Sequence, residues 1–193
     1  MNEHLFSLIP FPAPNIPDIS INGEISLQNN TLNLNYGVTG KIEEILLPGA
    51  SLHRSRKDDL WKMTCFEFFL AVKGQPQYWE FNMSPSGDWN VYHMDAYRRV
   101  GFREETSIQQ LSFEIHKGTT EISLKALVDL NPILPPDQTL EFGITAIIQT
   151  TDNTETYWAL SHPAPLADFH LRESFILGLA EQTHLSQQSA PGD

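Results

Sequence analysis

The stretch CFEFFLAVKGQPQYWEFNMS, residues 65–84, decides the fold, because it carries two runs of side-chain alternation around one turn. In the first run Phe66, Phe68, Leu70 and Val72 share one side of an extended chain; in the second Trp79, Phe81 and Met83 do. A slip of one residue would turn one apolar set into water, so the register must bring both onto a common core face. Pairing Val72 with Gln77 does so and leaves KGQP as a four-residue hairpin loop. The opposite face then follows. Glu67 lies across from Asn82 and diagonal to Glu80, with Cys65, Phe69 and Tyr78 alongside. Opposed side chains in such a pair sit about 5 Å apart and diagonal ones about 7–8 Å. Two carboxyls and an amide therefore gather on one patch. An ordinary solvent face is the plainest reading of that patch, but Phe69, Cys65 and Tyr78 are poor choices for one. A partly covered, concave face accounts better for the mixture.

The chain continues through SPSG into DWNVYHM, residues 84–94. The pleat separates Trp89, Val91 and His93 from Asn90, Tyr92 and Met94. A five-residue SPSGD loop sets Asn90 and Tyr92 beside Glu80 and Asn82 and buries Trp89 and Val91; a shift of one reverses the sets. Both registers stay open, although only the first buries an extra tryptophan. Elsewhere GEISLQ and TLNLNYGV flank NN, and LSFEIH, EISLKALV, TLEFGITAIIQT, TYWALS and a final FHLRESFILGL also read as strands. MDAYRRVGF is irregular or a short helix, NPILPP stops any helix, and TTDNTE is a polar hairpin turn rather than a calcium loop. Many short alternating runs with little helix predict an all-β antiparallel sandwich or barrel. Prolines at 10, 12, 14 and 17 predict an extended N-terminal arm over residues 1–18. The LSQQSAPGD end predicts a disordered tail over 182–193, which leaves one domain at 19–181.

The composition narrows the partners. Twelve Lys and Arg against 24 Asp and Glu give a net charge of −12, which repels nucleic acid and anionic membrane surfaces and leaves neutral ligands or cations. The single cysteine, Cys65, allows no intramolecular disulfide and no cysteine-based metal site, and it reads as a small buried hydrophobe. The opening MNEHLFSLIPFPAP has no basic leader, and no stretch approaches the roughly 20 apolar residues of a spanning helix. The expectation is a soluble cytoplasmic protein.

Three segments taken in order carry a resemblance: RKDDLWKMTCFEFFL, YWEFNMSPSGDWNVYHMDAYR and YWALSHPAPLADFHLRESF. From about residue 56 to 175 the chain resembles the DOMON-like superfamily, close kin of the family 9 carbohydrate-binding modules. The resemblance implies an immunoglobulin-like or jelly-roll-like β-sandwich of about ten strands. It also implies a small molecule, a sugar or haem, bound on one sheet face, without catalysis. The matching motif residues are Trp61, Glu67, Trp79, Glu80, Asn82 and Trp89. The paired tryptophans that sandwich a sugar in the carbohydrate-binding modules have no definite counterparts here.

Binding of a sugar needs an aromatic face for the ring and polar groups for its hydroxyls. Glu67, Glu80, Asn82, Tyr92, Trp158 and Arg98 are the candidates, joined by Trp89 from the resemblance. Core packing competes for Trp158 and is favoured for Trp61 and Trp79, while surface or carboxylate pairing is the plainer role for Arg98 and Arg99. No cofactor is expected; were haem bound, Met83, Met94, His93, His162 and His170 would be the axial candidates. A glycoside hydrolase would use Glu67 and Glu80 as its two carboxyls. For a metal, Asp168 and His170 of HPAPLADFH share a face and form a weak pair, though a cap on the last strand explains them better. No phosphate loop or nucleophile elbow is present. The reading is a small-molecule-binding module, with a sugar as the leading ligand and the oligomeric state open.

Overall fold

The computed structural model describes residues 2–98 and 102–180, and these form a nearly all-β sandwich. Its strands are β1 (Asn2–Pro10), β2 (Ile19–Gln28), β3 (Thr31–Gly40), β4 (Cys65–Val72), β5 (Tyr78–Met83) and β6 (Trp89–Met94). There follow β7 (Arg103–Glu104), β8 (Ser112–Lys117), β9 (Glu121–Asp129), β10 (Thr139–Gln149), β11 (Glu155–Ala159) and β12 (Leu177–Ala180). Helix among the described residues is confined to three short 3-10 turns, at Ile42–Glu44, Leu60–Lys62 and Arg172–Ser174.

One sheet runs β1-β2-β3-β9-β8 and the other β7-β6-β5-β4-β10-β11, with β12 on the free edge of the first half of β10. Every strand pairing is antiparallel. β1 joins the two sheets: Leu8 still pairs with Ile21 of β2, while Ile9 and Pro10 pair with Ala159 and Trp158 of β11. The β2–β3 hairpin turns through Asn29 and Asn30, both at positive φ (50° and 55°), the conformation a two-residue loop needs and asparagine tolerates. Between the sheets, Ile21, Ile25, Leu32, Leu34 and Val38 meet Phe66, Phe68, Leu70, Phe81 and Phe142. Phe68 and Phe81 stack with ring centroids 4.3 Å apart. Gly23 faces this core because the ring of Phe6 fills its place: a Cβ there would come within 2.4 Å of Phe6 Cζ and 2.0 Å of the Asn35 carbonyl oxygen.

The central hairpin has the register set by its apolar faces, with Glu67 opposite Asn82 and Phe69 opposite Glu80. The next strand resolves the open choice, since Tyr92 pairs with Glu80 and Asn90 with Asn82, which turns Trp89 and Val91 into the core. Two expectations are corrected and one open choice is settled. Residues 2–10 are not an arm but an integral strand, whose Phe6 and Leu8 are buried; the prolines fall at its end and after it. FHLRESFILGL is mostly irregular, and only its last residues enter β12, because the segment before them folds over the second sheet. Residues 95–98 of MDAYRRVGF are bends and turns. The expected tail at 182–193 lies outside the described residues.

Candidate functional site

Antiparallel strands on a sandwich normally show one face to water. β4 and β5 do not: all of β5 and all of β4 up to Ala71 are buried. Their outward side chains are Cys65, Glu67, Phe69 and Ala71 on β4 and Tyr78, Glu80 and Asn82 on β5, with Tyr92 and Met94 on β6 and Ile147 on β10 continuing the face. Two segments cover it. The turn at Leu60–Lys62 brings Trp61 edge-on against Tyr92, at 5.9 Å between centroids. The chain from 167 to 175 lays Phe169, His170 and Phe175 over Phe69. Gly143 of β10 makes that docking fit, since a Cβ there would lie 3.0 Å from the Phe175 ring.

Between sheet and cover lies a cavity of about 550 Å³, within the range of small-molecule sites. Glu67, Glu80, Tyr92, Ile147 and Tyr157 line it from the sheet, Trp61, Ala167, Phe169 and His170 from the covering segments, and Arg98 and Phe102 also reach it. The Glu67 side chain is only 2% exposed. Its Oε2 has a weak 3.5 Å contact from the Thr145 hydroxyl, and its Oε1 has no hydrogen-bond partner. Burial, reinforced by the neighbouring Glu80 charge, pushes its pKa well above the carboxylate range. Burial likewise raises Glu80 to about 7, although the Asn82 amide donates to its Oε1 at 2.8 Å and favours the charged form.

His170 shares Nδ1 with the Tyr78 hydroxyl at 3.0 Å and brings Nε2 to 3.9 Å from Glu80 Oε2. That approach is not an ion pair at neutral pH. Burial, helped by the Arg98 charge and opposed by Asp168, lowers the imidazole pKa to about 4. The Tyr92 hydroxyl donates to Asp58 at 2.7 Å and accepts from Asn90, which fixes its ring. Asp168 accepts from the Tyr97 hydroxyl at 2.6 Å and pairs with the Arg98 guanidinium at 3.1 Å. These bonds outweigh its partial burial and hold its carboxyl below the usual range. It also accepts from the backbone N–H of His170 and so shapes the covering loop.

Of the residues singled out from the sequence, Glu67, Glu80, Tyr92 and Arg98 converge on the cavity. Asn82 lies fully buried beside Glu80 and braces it. Trp89 and Trp158 are corrections: both point into the inter-sheet core. The Arg56 guanidinium lies 4.3 Å over the Trp89 ring, and the Trp158 indole donates to Thr156. Trp61, read as core, lines the cavity instead, and Tyr157 occupies the place expected for Trp158. The strand pleat carried the signal for Tyr157, because Ile147 pairs with it and both point away from the core. Phe102 lies outside any strand pattern, and Phe169 opens the FHLRESFILGL run, which reads as a strand but is irregular at this point, so neither had such a signal.

Asp168 and His170 are tied to Arg98, Tyr97 and Tyr78, and no group of three or more His, Cys, Asp or Glu among the described residues is placed to hold a metal. Of the haem candidates, Met83 is in the core, His93 stacks on Trp79, and His162 bonds the Ile9 carbonyl. Met94 and His170 reach the cavity. A porphyrin face calls for an apolar surround; two buried carboxyls on the same wall, one of them facing His170, do not fit it.

No protein-family model matches the chain, and no curated protein matches it by sequence. Solved structures do share its fold. A Bacteroides uniformis ATCC 8492 protein assigned provisionally to carbohydrate binding superposes with a TM-score of 0.67 at 12% identity, covering 92% of this chain and 85% of its own. A family 9 carbohydrate-binding module of Caldicellulosiruptor kristjanssonii, in complex with cellotriose, superposes with a TM-score of 0.58 at 10% identity, covering 98% and 88%. The chain shares the β-sandwich fold of these two structures.

Proposed function

We propose that this protein is a non-catalytic sugar-binding module whose ligand occupies the cavity on the outer face of the β4–β5 hairpin. The observation that carries the reading is Glu67, a residue in the wall of an aromatic-lined cavity whose Oε1 the protein leaves without a partner. A buried polar atom with no partner is costly, and a ligand hydroxyl placed there removes the cost. The rings of Trp61, Tyr92, Tyr157 and Phe169 offer flat apolar surface for the C–H side of a pyranose. The shared fold with a module found in complex with cellotriose supports a sugar as the class of ligand.

The test is a thermal-shift and calorimetric screen over mono- and oligosaccharides, both neutral and amino-substituted. A sugar at about a hundred times its Kd stabilises the native state by about 2.7 kcal/mol, and Tyr157→Ala should abolish that shift. A melting temperature unmoved by every sugar refutes the proposal. A second reading, glycoside hydrolysis, draws on the two raised carboxyls side by side on one sheet face. Incubation with aryl glycosides separates the two, because a binding module releases no aglycone.

A further inference from the structure

We propose that the ligand presents a protonated amine to Glu67 and Glu80, so that the favoured sugar is an amino sugar rather than a neutral one. This rests on the sugar-binding reading for the ring; the amine is inferred from the acids themselves. Two carboxyls on neighbouring strands are buried side by side, and the protein supplies neither with a cation. Glu80 receives an uncharged amide from Asn82, and Glu67 Oε1 receives nothing. The two cationic side chains nearby are not available to them. His170 is stripped of its charge by burial, and Arg98 stands at the exposed rim with its guanidinium on Asp168.

Burial holds both carboxyls towards their protonated forms, and a cation from outside would complete the arrangement by displacing those protons. A metal ion is poorly served, since no third ligand is placed to join the pair among the described residues. An ammonium group is well served. It carries three donors, enough to reach both carboxyls at once, where a hydroxyl carries one. The rings of Trp61, Tyr92 and Tyr157 around the cavity add the negative π-faces that attract organic cations. The net charge of −12 draws cations towards the molecule and repels anionic ligands.

The experiment is isothermal titration of the full chain with glucosamine, glucose, N-acetylglucosamine and cyclohexylamine at about pH 6.5, where an amine is charged. Glucosamine is expected to bind at least about tenfold more tightly than either neutral sugar. Glu67→Gln should shrink that preference to within about threefold; should it fail to fold, Glu80→Gln serves the same purpose. Equal or tighter binding of glucose or N-acetylglucosamine overturns the amine inference and leaves the sugar reading standing. Binding of cyclohexylamine with no sugar bound upholds the amine and refutes the sugar. No heat from any of the four overturns both.

Discussion

Replacing Glu80 by glutamine should change how stability depends on pH, in one direction and by a calculable amount. Burial raises this carboxyl from 4.5 to about 7 in the folded protein. Between those values the native state keeps a proton that the unfolded chain has released, so stability falls as pH rises. The contribution is fully present below about pH 4.5 and gone above about pH 7. At about 1.4 kcal/mol per unit, the loss across that window is about 3 kcal/mol. His170 works against it. Its pKa, lowered from 6.5 to about 4 chiefly by burial, adds stability as pH rises through an overlapping window. Glu67, raised like Glu80, works in the same sense as Glu80. The wild-type profile therefore blends opposing slopes, and only the difference between variant and wild type isolates Glu80.

The substitution suits that comparison, because the glutamine carbonyl can accept the Asn82 amide bond that Glu80 Oε1 now accepts. Urea unfolding at fixed ionic strength, followed by tryptophan fluorescence from about pH 4.5 to about pH 8, gives both stabilities. The variant should gain about 3 kcal/mol on wild type across that range. Loss of the neighbouring charge also eases Glu67 and adds to the gain. A flat difference refutes the reasoning. It would mean that Glu80 ionises in the folded protein as freely as in the unfolded chain, and that the cavity wall is wet.

Two further substitutions follow from the pleat and the core. Trp158→Ala opens a hole between the sheets and should cost about 3–5 kcal/mol in chemical denaturation. Tyr157→Ala, half-buried one residue away, should cost under about 1 kcal/mol while weakening ligand binding at least about tenfold; comparable losses of stability would reverse the assignment of the two rings. Gly23→Ala drives a methyl into a backbone oxygen and the Phe6 ring, and overpacking of this kind costs about 3 kcal/mol. For a chain of this length that lowers the melting temperature by about 6–12 °C, so an unchanged melting curve would show that β1 does not sit on β2 as described.

The hairpin was legible because two apolar sets on adjacent segments admit one register, and the positions of Glu67, Glu80 and Asn82 follow from it. The rest of the site obeys no such local rule. From the sequence Trp158 is a candidate with core packing as its rival and Tyr157 is not one, but pairing with Ala146 on the inner face decides which residue enters the core. Trp61 sits on a 3-10 turn, where no period of two exists to read. That β10 lies beside β4, bringing Thr145 to Glu67, is a matter of strand order, which no stretch of sequence encodes by itself. β1 went unread because its prolines suggested an arm, while the alternation of Phe6 and Leu8 was the better guide.

The contrast between β9 and β4 explains why the site lies where it does. Along β9, Ile122, Leu124, Ala126 and Val128 are buried while Glu121, Lys125 and Asp129 meet water, as a sheet with one wet face requires. Along β4 the outward positions are Cys65, Glu67, Phe69 and Ala71, so no solvent face is written into the strand. Aromatic residues at outward positions require a cover, and the Trp61 turn and the 167–175 segment supply it. Once that cover is in place, a carboxyl at position 67 becomes a liability for folding alone. Leaving such an acceptor unpaired costs about 1–3 kcal/mol, which leucine or valine at the same position would avoid. A side chain that weakens the fold and lines a cavity breaks the local rule of core packing, which is why the proposed ligand is placed against it.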